Sequence, residues 1–111
     1  MATPIRSKPT ATFFSVSDTS ALTVGTASAN VALGTGGSHL LLTNVGSNVV
    51  YVNLGLANTI TASIPASGTP AAGIPILPNS QIQLYAGTVT WLAAISAATG
   101  NTLYITPGNG A

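Results

Sequence analysis

Residues 38–54, SHLLLTNVGSNVVYVNL, hold two apolar runs on either side of Val45-Gly46-Ser47-Asn48. Each run is rich in aliphatic and β-branched residues. Each has the length of a strand and is too short for an independent helix. Gly46 and Asn48 tolerate the positive φ that a tight turn requires. The spacing predicts a β-hairpin, with the rest of the chain adding strands to it. Alternation puts Leu40 with Leu42 on one face, and Val50 with Val52 and Leu54. Tyr51 and Asn53 point the other way, and Gly55 ends the second strand.

The same pattern recurs along the chain. Phe13 and Phe14 open an apolar segment that Val16 continues. Asp18 in SDTS marks a turn, where its carboxylate can cap local N–H groups. Leu22 and Val24, then Ala29, Val31 and Leu33, predict two short strands broken at Gly25, and GTGG at 34–37 predicts a loop. Residues 56–62, LANTITA, read as a weak strand. Residues 63–79 carry Pro65, Pro70, Pro75 and Pro78, which forbid a central strand or a helix. Ile64, Ile74, Ile76 and Leu77 make that stretch too apolar for a free linker, so a long ordered loop packed against the domain, placed to cover an edge, is expected. Its length favours a contact role.

Three further strands are predicted at 80–86, 88–95 and 101–106. The first sets Ile82 and Leu84 inward, with Gln81, Gln83 and Tyr85 outward, and Ala86-Gly87 turns the chain. In the second, Val89, Trp91, Ala93 and Ile95 share one face while Leu92 and Ala94 share the other. Such a strand reads as covered on both sides, and Trp91 is assigned to the core. The third sets Leu103 and Ile105 inward and Tyr104 outward, and Pro107-Gly108-Asn109-Gly110 stops it. About eight strands with Gly, Pro and Asn turns, and no helical period, predict an all-β sandwich or barrel.

At 111 residues the chain makes one domain, read as an extended arm over 1–12 and a β-domain over 13–111. Charged residues are 3% of the chain: Arg6, Lys8 and Asp18, with no Glu. There is no basic patch to release counterions from phosphates, so no nucleic acid partner is expected. The first fourteen residues hold two cations but no apolar core segment, so they are not read as a secretory signal. No apolar run is long enough for a spanning helix, and no membrane partner is expected. The arm is either a loose tail or a segment that orders on a partner, with Arg6 and Lys8 meeting acidic groups. With no Lys or Arg after Lys8, charge cannot guard later edge strands. Either prolines and loops cover those edges or neighbouring subunits do.

The parts needed for chemistry are missing. One Asp and no Glu leave no carboxylate pair for glycosidase-type catalysis. His39 is the lone imidazole, and no G-x-S-x-G elbow accompanies it, so it is read as a surface residue at the start of a strand. Cys is absent, and His39 with Asp18 falls short of a metal ligand set. GTGG matches no phosphate-cradling motif. No enzyme activity, catalytic residue, metal or cofactor is expected. Outward tyrosines instead favour interfaces, because they bury area at modest entropy cost.

The segments TNVGSNVVYVNLG, IPILPNSQIQLY and WLAAISAATGNTLYITPGNG, together with the low charge, resemble the small all-β capsid decoration ("cement") proteins of tailed bacteriophages, especially short-tailed phages. The resemblance covers roughly residues 38–110 and rests on strand-and-turn patterns, without a chemical signature. It implies a jelly-roll-like sandwich on the outer capsid surface of a virion made in the host cytoplasm. The implied partners are the major capsid protein and further copies of the chain; because two-fold contacts are the commonest closed symmetry, a dimer is expected before a trimer. Candidate contact residues are Arg6, Lys8, Tyr51, Ile74, Ile76, Leu77, Tyr85 and Tyr104. The alternatives are a receptor- or glycan-binding module of a phage tail or fibre, and a bacterial surface or ice-binding β-protein. The Thr-x-Thr pairs are too irregular for an ice-binding ladder.

Overall fold

A computed structural model describes residues 14–15, 19–33 and 38–109. Nine strands occur in it: β1 (Phe14–Ser15), β2 (Ser20–Val24), β3 (Ala29–Ala32), β4 (His39–Asn44), β5 (Val50–Gly55), β6 (Ile74–Ile76), β7 (Ser80–Tyr85), β8 (Trp91–Ser96) and β9 (Asn101–Asn109). They form two antiparallel sheets, with no helix among the described residues. In the first sheet the order is β2-β9-β4-β7, and β1 continues beyond β2 along the same side of β9. In the second the order is β3-β8-β5-β6. The protein is therefore a β-sandwich, as its alternating apolar runs imply.

The predicted hairpin over 38–54 does not form. β4 and β5 lie in opposite sheets, and residues 45–49 arch between them. The alternation nevertheless holds: Leu40 and Leu42 are buried, as are Val50 and Val52. The two faces meet across the interior instead of lying side by side. From β2 onward every connection crosses between the sheets except β5 to β6. The expected positive φ at Gly46 and Asn48 is likewise absent. Gly46 is required for space: a Cβ there would fall 2.8 Å from Asn101 Cβ.

Leu42, Val50, Val52, Ile76, Leu92, Leu103 and Ile105 fill the interior, with Ile82 and Leu84 packed at its margin. Each such side chain contributes on the order of 1.5–3 kcal/mol by leaving water. Several boundaries differ from expectation, and β8 begins at Trp91 where a strand from residue 88 is expected. Residues 56–62 form no strand. β6 lies inside the proline-rich stretch, where Pro75 is tolerated because the strand is an edge. β9 runs past Pro107 to Asn109. Pro107 faces Leu40 on the β4 side, and by ladder alternation its own backbone groups point away from β4, so the β4–β9 ladder loses no donor. The expected arm over 1–12 lies outside the described residues.

Candidate interaction surfaces

Inward alternation of the apolar residues fixes what the first sheet shows to solvent. Its outer face carries Ala21, Tyr104, Thr43 and Gln81 in one register row. Thr106, Leu41 and Gln83 form the next, then Gly108, His39 and Tyr85. Neutral contacts order the side chains. Gln81 Nε2 donates to Thr43 Oγ1 at 2.9 Å, and the Thr19 and Thr106 hydroxyls lie 2.7 Å apart. The His39 and Tyr85 rings meet edge to face at 5.3 Å, and Ser38 Oγ lies 3.1 Å from His39 Nδ1. The described residues contain no Lys, Arg, Asp or Glu. The face is a broad, uncharged surface with two projecting tyrosines, Tyr85 at 73% and Tyr104 at 41% exposure.

The second sheet is covered from outside. Residues 56–62 form a strap over Ala93, which is fully buried although it points away from the core. Two asparagines flank Ala93 in register. Asn30 Nδ2 donates to the Asn58 carbonyl at 2.6 Å, and Asn53 Nδ2 to the Thr61 carbonyl at 2.9 Å. The Ala62 N–H reaches Ser28 Oγ at 2.9 Å. β8 is thus covered on both faces, as its sequence implies. Trp91 corrects the expectation: it shares the outer face with Ala93 and is half-buried there, while Leu92 and Ala94 enter the core. Both faces of that strand are apolar, so alternation alone could not assign the inner one. A depression of about 400 Å³ lies beside the strap, lined by Asn53, Leu56, Thr59, Ile60, Thr61 and Ala72. It contains no aromatic ring or charge.

The candidate contact residues separate into several places. Tyr85 and Tyr104 share the first sheet's outer face. Tyr51 sits half-buried on the second sheet's outer face, in register with Pro75 and Ile95. Ile74 and Leu77 are exposed at the β6 edge and just beyond it. Ile76 is no surface residue: it is 0% exposed, because strand alternation turns it into the core between two outward neighbours. Arg6 and Lys8 lie outside the described residues. No group of three or more His, Cys, Asp or Glu that could hold a metal occurs among the described residues.

Sequence reading missed the residues that hold the arch. Asn44, Ser96 and Asn101 are buried polar groups at one end of the sandwich. Asn44 Nδ2 donates to the carbonyls of Asn48, Ile76 and Leu77 at 2.9, 3.0 and 3.3 Å, and its Oδ1 accepts from the Gly46 N–H at 2.9 Å. Asn101 Oδ1 accepts from the Asn48 N–H at 3.3 Å, and Ser96 Oγ donates to the Val49 carbonyl at 2.8 Å. The available signal was an asparagine at the end of one apolar strand and at the start of another, where its β-propensity is poor.

This interior network is neutral, which bears on pH. Stability changes with pH only through protons bound differently by folded and unfolded chains, about 1.4 kcal/mol per proton per pH unit. The sequence supplies one Asp, one His and no Glu, so few side-chain protons can be bound differently by the two states. We therefore expect the melting temperature, followed by circular dichroism, to stay within about 5 °C between about pH 4 and pH 8. A steep acid transition would mean that a carboxylate supports the fold.

No family model, curated protein or solved structure matches the chain.

Proposed function

We propose that the protein is a capsid decoration protein that binds the outside of an assembled phage head, bridges neighbouring capsomers and stabilises the shell against internal DNA pressure. The observation that carries this reading is the uncharged outer face of the first sheet, with Tyr85 and Tyr104 projecting from it. Such a face suits adhesion: ordered neutral side chains lose little entropy on contact, and tyrosines bury large areas. The strand order β2-β9-β4-β7 over β3-β8-β5-β6 supports reading the sandwich as a jelly roll, an arrangement common in viral capsid domains. The sequence resemblance supports the same assignment, with the major capsid protein as partner.

The action is mechanical. A standard contact buries ~800 Å² per partner, and association entropy consumes much of the gross gain. Touching several capsomers at once turns modest affinity into firm attachment. Binding only the assembled shell stabilises it by mass action. Purified shells with and without the protein test this by thermal disruption and nanoindentation. Shells lacking it are expected to open at lower temperature and lower force. Equal resistance in both would rule the role out.

A further inference from the structure

Gln81, Gln83 and Tyr85 turn their backbone N–H and C=O groups away from the molecule. The Val45 N–H donates to the Thr102 carbonyl at 3.1 Å, so the odd-numbered side of the β4 ladder bonds toward β9. Leu40, Leu42 and Asn44 therefore bond toward β7, where Leu84, Ile82 and Ser80 face them. The Ala86 N–H, 2.7 Å from the Ser38 carbonyl, continues the same register. The alternate residues Gln81, Gln83 and Tyr85 are left bonding outward, and among the described residues no strand pairs with β7 on that side.

An edge of this kind usually carries Lys, Pro or a bulge to discourage pairing. SQIQLY carries neither Lys nor Pro, and its register with β4 is unbroken. The other edges are less open. β6 is three residues long and contains Pro75. β3 is four residues long, and its Asn30 holds the strap. By the same alternation β2 turns only Ala21 and Thr23 outward. Beside β7 the sandwich is also incompletely closed: Ile82 and Leu84 are half-buried, and Ile74 of the adjacent β6 edge is 43% exposed.

We propose that β7 pairs with β7 of a second copy, antiparallel about a two-fold axis at Gln83, so that the two first sheets become one. In this register Gln83 faces Gln83 of the second copy, and Gln81 faces Tyr85. All three facing pairs are of the hydrogen-bonded kind, each exchanging both N–H···O=C bonds. A second copy fits this edge because the strand complements its own full length, no charge opposes like charge, and the two partly open apolar mouths cover each other. The contact is smaller than the ~800 Å² per partner of a standard interface, so the free dimer is weak, with a Kd on the order of micromolar or above. The pairing does not depend on the capsid reading, because purified chain alone forms it.

Sedimentation velocity of the full chain from about 1 μM to about 1 mM should show a monomer–dimer equilibrium. Gln83→Pro removes an outward N–H and no bond to β4. It should weaken the dimer about 10- to 100-fold while leaving the melting temperature of the monomer nearly unchanged. Gln83→Lys and Gln83→Glu, both on the solvent face, should each lose the homodimer, and their mixture should regain it. Amide exchange at residues 81, 83 and 85 should slow only at high concentration. A monomer throughout this range would overturn the inference. So would an undiminished dimer in Gln83→Pro, or a Lys/Glu mixture no tighter than either variant alone.

Discussion

Replacing Asn44 by leucine is expected to lower stability by about 3–5 kcal/mol, a large part of the ~5–15 kcal/mol that a domain of this kind has. The two side chains are similar in size, so no cavity explains the loss. Asn44 is fully buried and serves backbone groups from three segments: Gly46 and Asn48 of the arch, Ile76 of β6, and Leu77 just after it. Leucine strands the Gly46 N–H in a dry interior and takes the side-chain donor from the Asn48 carbonyl, at about 1–3 kcal/mol each. The arch also loses the side-chain acceptor that turns it out of the first sheet. Urea denaturation measures the change. A loss below about 1 kcal/mol would show that water replaces the amide and that the corner is wet.

Ile76→Ala and Leu77→Ala should give opposite results although the residues are adjacent. Ile76 is 0% exposed and Leu77 is 62% exposed. Alanine at 76 leaves a cavity beneath the short β6 edge, for an expected loss of about 2–5 kcal/mol. Alanine at 77 removes surface only, within about 0.5 kcal/mol. Denaturant midpoints of the two variants decide the matter. Equal effects would mean that β6 does not close the sandwich at that side. In a shell-binding assay the ranking should invert, because only Leu77 is available to a partner.

These contrasts divide the molecule by chemistry. Polar side chains at one end hold the crossing connections, and the strap is held by two more asparagines. The first sheet's outer face does neither job, and its residues order one another through neutral contacts. A surface with so few charges gains little colloidal repulsion, so it resists association weakly.

Local pattern determined much of this protein. Period-two alternation named the inward residues of β4, β5, β7 and β9, and turn residues marked most strand ends, because both signals depend only on neighbours in the chain. The near-absence of charge left the sequence without a carboxylate pair or a metal ligand set, which is a matter of composition alone. Pairing was decided elsewhere. Whether β4 and β5 lie side by side or face to face depends on Asn44, Ser96 and Asn101, which meet only after residues far apart in sequence come together. The same holds for Trp91 and Ala93, whose strand is apolar on both faces: it took the strap of residues 56–62, arriving from another connection, to decide which face is the outer one. Alternation says which side chains share a face, and only packing says what that face meets.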